Sequence, residues 1–455
     1  MPLSQKDLLD LVKGRLLPAF FKERERLDTI DRYVRWDHDK PHAPKEASRE
    51  YKTLMDRAQT PWGNLIVTSV AQALYVDGYR PESGTENADA WKWWQINGMD
   101  SRQIAIHRAA LGYGLSYVTV LPGRDDFGER MPAMRGVSPR RMITFYNEPE
   151  HDDWPTFALQ ATPAKVKGAK GWALKVFDDT SVYYLNCDAG GVSPEYIEFR
   201  SHGLNVCPVV RYANQMDLEG RAPGEVEPFI PILMRIDQTT FDRLVVQRFA
   251  SWIVRTISGM SKPDTEEEAA ARTLLLKMGD LLVAEHPDTK FGSLPATPLD
   301  GFIAAAEADI RILAAASQTP AHEMLGQMAN LSAEALAAAR ASLTAKVEER
   351  RYTFGESHEQ VLRLAAFVMN DEEGARDRSA QVRWRDTEIR SLAQAADALG
   401  KLAQMLGVPV ELLWEKIPGF TQQDVDSAKS LVREGDSISQ LVTLMQRQVD
   451  EPIAS

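Results

Sequence analysis

The chain has 455 residues, 44% hydrophobic and 26% charged, an ordinary globular composition long enough for two to four domains or one large elaborated fold. Its formal charge, 53 basic against 65 acidic side chains, is −12, which excludes a simple basic nucleic-acid binder. The two cysteines, Cys187 and Cys207, form no C-x-x-C pair, so a zinc ribbon or redox motif is excluded and a reducing cytoplasm is suited.

The N-terminal stretch MPLSQKDLLDLVKGR is charged throughout, so no signal-peptide core is expected, and no run of about 18 apolar residues marks a membrane span. Residues 3–35 read as helix, with Leu8, Leu11, Val12, Leu16 and Leu17 as an apolar stripe that Pro18 interrupts. Residues 40–60 are polar and proline-marked until EYKTLMDRAQ resumes a helix. Thr60-Pro61-Trp62 opens another, running to about Tyr79, and Leu74 to Tyr79 also reads as a strand. In WKWWQINGMD, Trp91 and Trp94 share a helix face, which points to a packed aromatic core rather than to base stacking.

Residues 101–113 read as helix and GLSYVTVLP as strand. From there to Arg211 short apolar runs (MITFY, TFALQ, WALKVF, SVYYLN, YIEFR, CPVVRY) alternate with Pro, Gly, Asp and Asn clusters, the pattern of strands and turns. Residues 213–228 are loop-like. Pro228 and Pro231 fit a first helical turn. Ile232, Leu233, Ile236, Thr240, Leu244, Phe249, Trp252 and Ile253 then keep helical spacing to about Ile257, a helix of ~40 Å. Residues 259–298 carry a short helix, DTEEEAAARTLLLKMG, and candidate strands LLVAEHP and KFGSL. The run Glu266 to Glu268 suits a solvated first helical turn.

Leu299, Phe302, Ile303, Ala306, Ile310 and Leu313 form one helical stripe, which should end near Thr319 because Pro320 disfavours helix in the residue before it. Gly326 and Asn330 are turn residues. Ser332 is a good N-cap, with Glu334 in the first turn that follows. Leu336, Ala339, Leu343, Val347, Arg350 and Phe354 fall on one face of a helix that, carried to Met369, is ~55 Å long. That exceeds the usual limit of about 20–25 residues, and Gly355 is the expected bend or break. After Asn370 come a polar loop, the segment QVRWRD, the Ala/Leu helix SLAQAADALGKLAQMLG, a short element in VPVELLWEKIPGFTQQDV, and the closing DVDSAKSLVREGDSISQLVTLMQRQ.

Several stretches carry a family resemblance. They are S-x-T-P at Ser317 to Pro320, the loop with Gly326 and Asn330, S-A-E-A-L at Ser332 to Leu336, and F-G-x-S-x-E-x-V at Phe354 to Val361. With E-Y-x-x-L, T-P-W, L-x-V-D-G-Y and V-x-W-x-D elsewhere, the chain resembles bacteriophage portal proteins of the branch common in long-tailed phages of actinobacteria. The resemblance covers most of residues 30–425. It implies an α+β, mainly helical fold with wing, stem, clip and crown regions, assembling into a ring. It places a wing at 1–225, stem helices at 226–258 and 299–320, and a clip at 259–298. It places a tunnel loop at 321–331, a long wing/tunnel helix at 332–371, the wing return at 372–423 and the crown at 424–455. His322, Glu323, Gln327, Met328 and Asn330 would line a DNA channel, and Lys262, Lys277 and Lys290 of the clip would meet the packaging motor. The implied ring is a dodecamer at one capsid vertex of the virion, assembled in the host cytoplasm. Its partners would be double-stranded DNA, the terminase large subunit, a head-tail adaptor, and the major capsid and scaffold proteins, with no membrane and no cofactor.

Catalytic patterns fail on inspection. In Gly123 to Gly128 the glycines have the spacing of a phosphate loop, but Glu129 stands where its lysine belongs, and a carboxylate repels phosphate. His322-Glu323 begins a zinc-binding H-E-x-x-H, but Gly326 replaces the second ligand. Gly112-Tyr-Gly114 lacks the third glycine of a dinucleotide loop, and Gly114-Leu-Ser116-Tyr-Val118 lacks the closing glycine of a nucleophile elbow. Asp37-His38-Asp39 is the best metal candidate, against the plainer reading of a solvated turn or local ion pair. The competing functions are a head-associated metal-dependent hydrolase using that cluster and a non-ring structural adaptor.

Overall fold

The computed structural model describes residues 2–42, 49–81, 88–250, 255–258, 290–293, 298–326, 333–385, 392–414, 416–417, 420, 424–425 and 427–432. The chain forms two compact units, one of Met1–Asp37, Pro61–Ile230 and Ala315–Ser455, the other of His38–Thr60 and Pro231–Ala314.

The first unit opens with α1 (Gln5–Leu11), capped by the Ser4 hydroxyl accepting from the Asp7 amide. A π-helical turn, Val12–Leu16, leads into α2 (Leu17–Val34), so Pro18, which has no N–H to donate, falls in a first helical turn. After α3 (Arg49–Ala58), which belongs to the second unit, come α4 (Trp62–Ala71), β1 (Val76–Arg80), α5 (Ala88–Ile96) and α6 (Met99–Tyr113). The strands β2 (Leu115–Arg124), β3 (Arg130–Val137) and β9 (Val209–Ala213) make a three-stranded antiparallel sheet in the order β3-β2-β9. Between them, β4 (Met142–Phe145), β5 (Phe157–Val166), β6 (Ala169–Phe177), β7 (Ser181–Asp188) and β8 (Glu195–Ser201) form a five-stranded meander. The strands expected between Gly114 and Arg211 are all present, and the helix DTEEEAAARTLLLKMG and strand LLVAEHP lie outside the described residues. The apolar-run pattern missed β3, whose RMPAMRGV interleaves Arg, Pro and Gly.

Period-two alternation explains how the five-stranded sheet is covered. Leu159, Ala161, Leu174, Val176, Tyr183, Leu185 and Cys187 pack against Leu8, Val12, Leu16, Leu17 and Phe20 of the N-terminal helices. Their sequence neighbours Ala158, Phe177 and Val182 pack from the other face against Tyr117, Cys207 and Val209. Cys187 and Cys207 thus belong to two different clusters and are both free thiols.

The long helix, α10 (Ala333–Val368), runs for 36 residues without interruption. Gly355 therefore does not break it. A Cβ there would meet Trp384 and Val382 at 3.6 Å, an ordinary contact, and Phe354, Ser357 and His358 are buried around it. The helix stops where Asn370 turns left-handed (φ 63°) and Asp371 caps the next short helix, α11 (Glu372–Arg376). β12 (Gln381–Trp384) then pairs antiparallel with β1. Gln103 supports that strand from α6, its amide accepting from the Val76 N–H at 2.8 Å and donating to the Val76 carbonyl at 2.9 Å. α12 (Leu392–Leu406) and α13 (Val410–Trp414) follow.

The second unit holds α3 (Arg49–Ala58) and α7 (Ile230–Ala250), which enters it at Pro231. It also holds the two-stranded ribbon of β10 (Arg255–Ser258) and β11 (Lys290–Ser293), and α8 (Asp300–Ala316) up to Ala314. The helical spacing does not carry to Ile257. Arg255–Ser258 is a strand because its β-branched Thr256 and Ile257 pair with Gly292 and Phe291. Within this unit Arg235 of α7 and Asp309 of α8 form an ion pair at 2.7 Å.

Candidate functional site

The site is a corner, a short helix and a turn between α8 and α10. After Ala316 the chain leaves the helix at Ser317-Gln318-Thr319-Pro320. Gln318 is left-handed (φ 57°) and exposed, whereas Ser317, Thr319 and Pro320 are buried. The Ser317 hydroxyl donates to that of Thr319 at 3.1 Å. α9 (Ala321–Leu325) follows and ends at Gly326, left-handed at φ 64°, a conformation glycine adopts without a Cβ penalty.

A buried charge network holds this corner. Lys346 of α10 donates to the Ser317 carbonyl at 2.9 Å and pairs with Glu225 at 2.6 Å. One helical turn on, Arg350 pairs with the other Glu225 oxygen at 3.0 Å and donates to the Asn214 side chain at 2.7 Å. All three charged groups are almost wholly buried. Burial alone would raise the Glu225 carboxyl, but Lys346 and Arg350 hold it below the usual range. Glu225 is itself placed by backbone contact: its N–H donates to the Leu111 carbonyl at 2.7 Å, and a Cβ on neighbouring Gly224 would lie 2.2 Å from the Gly112 oxygen.

Further along α10, His358 sits in a second buried polar chain with Tyr212 of β9 and His107 of α6. The charged network and this chain together tie the long helix to the β3-β2-β9 sheet and α6.

The residues singled out by sequence divide as follows. His322 and Glu323 lie together on α9, both half-buried, and Glu323 accepts from Arg340 of α10 at 3.1 Å. Gln327, Met328 and Asn330, with Lys262 and Lys277, fall outside the described residues; Lys290 begins β11, opposite Ser258. The Asp37-His38-Asp39 stretch does not form a cluster. His38 is buried on the carboxylate of Asp237, far away in sequence, while Asp37 and Asp39 are exposed. Among the described residues no group of three or more His, Cys, Asp or Glu is placed to hold a metal ion. Of the Gly112 and Gly114 pair, Gly114 has a packing role: a Cβ there (φ 91°) would fall 1.9 Å from the Ala222 carbonyl oxygen. Sequence reasoning missed Glu225, Lys346, Arg350, His107 and His358 as interacting groups. One signal was present: Lys346 and Arg350, four residues apart, share an apolar helix face with Val347 and Phe354.

The chain matches the family described as phage portal protein, SPP1 Gp6-like, over residues 14–440. The portal protein of Mycobacterium phage D29 is 28% identical over 427 residues, covering 88% of this chain and 84% of the relative. That of Mycobacterium phage L5 is 26% identical over 374 residues, covering 78% and 74%. A solved structure of the neck of a native GTA particle is similar at a TM-score of 0.45 and 14% identity, over 81% of this chain and 92% of that one. The chain belongs to the phage portal protein family, whose members are structural, non-enzymatic components of the capsid and its head-tail connection.

Proposed function

We propose that copies of this chain close into a ring, twelve in the virion, at one capsid vertex, and that double-stranded DNA enters and leaves through the central channel. The segments 226–258 and 299–320, which hold α7 (Ile230–Ala250) and α8 (Asp300–Ala316), serve as stems of the channel wall, residues 259–298 as the clip that docks the terminase motor and later the head-tail adaptor, and residues 321–331 as the loop nearest DNA. Capsid and scaffold proteins meet the outer body, and assembly takes place in the host cytoplasm. Family membership over residues 14–440 is the observation that carries this reading.

The corner chemistry supports the loop's part in it. A channel that lets DNA slide must avoid neutralising many phosphates, because each neutralised phosphate adds a salt-dependent grip. The loop side chains Gln327, Met328, Ala329 and Asn330 are neutral, and the acid of the stretch, Glu323, is answered by Arg340. The buried Lys346 anchor at Ser317 gives the loop a fixed root while leaving its tip free of fixed charge.

Native mass spectrometry of the purified protein, with negative-stain images of the same sample, tests the assembly. A closed ring of about a dozen subunits with a central hole is expected. A compact dimer that buries α7 and α8 of one copy against those of the other would overturn it.

A further inference from the structure

The β2–β3 hairpin ends in a built tip. The Asp125 carboxylate accepts from the Phe127 and Glu129 amides at 3.0 and 2.8 Å, and Arg124 donates to the Gly128 carbonyl at 2.7 Å. This ordered turn holds the Phe127 ring in solvent at 92% exposure, flanked by Asp126 and Glu129. Among the described residues neither of those acids has an ion-pair partner. Phe is among the residues enriched at protein–protein interfaces relative to the rest of the surface.

The complementary surface lies at the other end of the same hairpin. A groove of about 500 Å³ runs between α6 and β3, lined by Ala105, Ile106, Ala109 and Val137 and bordered by Arg102 and Arg135. Both arginines are exposed, and among the described residues neither has a carboxylate partner. Lys175 is near enough to Arg135 that the guanidinium, after burial, helps hold its ammonium below the ordinary range. In a chain of net charge −12, this is an apolar slot with a basic rim and no internal acid to answer it.

We infer that the Phe127 tip of one subunit seats in the α6–β3 groove of a second copy, with Asp126 and Glu129 facing Arg102 and Arg135. Apolar ring meets apolar slot, and acid meets base. A subunit's own tip cannot reach its own groove, because β2 and β3 stay paired from Tyr117↔Val137 to Arg124↔Arg130, keeping the two ends ~25 Å apart. The contact is therefore head-to-tail, the kind that generates a ring when the rotation closes. It rests on the ring reading above and names one of the surfaces that would build it.

Phe127→Cys and Ala105→Cys, made separately in the full chain, provide the test; the native Cys187 and Cys207 are buried. Mixed, co-assembled and mildly oxidised, they should give a cross-linked dimer that neither gives alone, and the double variant should give a ladder. Asp126→Arg should lower the ring fraction about ten-fold at fixed concentration, by setting like charges opposite each other, and adding Arg135→Asp should restore it. Rings that form normally with no cross-link and no response to Asp126→Arg overturn this contact and leave the ring reading standing. Wild-type protein with no oligomer at any concentration overturns both. If Arg102→Glu with Arg135→Glu leaves rings intact but weakens binding of a short DNA duplex, the groove takes phosphate and the contact is overturned.

Discussion

His107 and His358 face each other through their Nε2 atoms at 2.7 Å, both fully buried. The bonds around them assign the protons. The His107 Nδ1–H donates to the Leu74 carbonyl, so its Nε2 accepts from the His358 Nε2–H, and the His358 Nδ1 accepts from the Tyr212 hydroxyl at 2.8 Å. Every group in the chain is satisfied only when both rings are neutral. A proton added to either ring leaves one N–H or O–H of the chain without an acceptor.

A pH dependence follows. Burial lowers His107 to about 4, against the opposing Leu74 carbonyl, and lowers His358 well below its ordinary value, with His107 adding to the effect. Below the unfolded value of about 6.5 the unfolded chain binds protons that the folded chain refuses, so stability falls as pH falls. His202, also lowered by burial, acts in the same direction. Between pH 6.5 and 5 the loss should reach about 1.5 kcal/mol for each histidine that stays neutral in the folded chain. Urea midpoints across this range, read from tryptophan emission, check it, since Trp94 lies 5.2 Å from the His358 ring. A midpoint that holds or rises toward pH 5 would refute the neutral-pair assignment.

Glu225→Gln leaves Lys346 and Arg350 buried with no carboxylate between them. Breaking a buried pair by removing one partner costs about 3–5 kcal/mol, so a large fall in melting temperature is expected. Lys346→Met should cost less, because Arg350 still answers Glu225, yet it removes the donor to the Ser317 carbonyl. Hydrogen exchange at the amides of 317–326 should quicken in Lys346→Met. Unchanged exchange there would mean that the lysine does not anchor the corner.

These networks mark where sequence reading reached its limit. The helix–corner–helix order, the strands of the five-stranded sheet and the burial of Trp94 follow from local periodicity and turn chemistry, and all are legible. Glu225 and Arg350 are 125 positions apart and His107 and His358 are 251 apart, so no local pattern joins them. The expected break at Gly355 failed for a related reason. Glycine lowers local helix propensity by about 1 kcal/mol, but buried side chains on both sides of it hold the helix through. His38 likewise looked like part of an acidic triplet, whereas its carboxylate partner, Asp237, lies on α7.

Gly114→Ala should be among the most damaging single-atom additions in the protein. The new Cβ would lie 1.9 Å from the Ala222 carbonyl oxygen, and the φ of 91° disfavours any side chain. Backbone on both sides must move, and with it Glu225. A loss of more than about 4 kcal/mol, or failure to fold, is expected. Gly400→Ala is the control: nothing lies within 4 Å of its added Cβ, and the exchange in helix α12 should stabilise by about 1 kcal/mol. Equal melting temperatures for the two variants would show that the Gly114 approach is not structurally required.

The proposed channel loop can be tested by charge alone. Met328→Lys with Asn330→Lys adds two cations per subunit, and in a ring these become continuous belts facing DNA. Each phosphate they neutralise steepens the salt dependence of binding, so DNA should be packaged more slowly and retained more tightly at low salt, with the difference shrinking as salt rises. Met328→Leu, which adds no charge, should behave as wild type. Arg340→Ala separates the loop's charge from its stability. The Arg340–Glu323 pair is partly exposed, so its loss should change the melting temperature little, yet it leaves an unanswered acid beside the duplex and should weaken retention. Packaging rate and retained genome length, measured against salt concentration, distinguish these outcomes. If the double lysine variant packages and retains DNA as wild type does at every salt concentration, residues 321–331 do not face the channel.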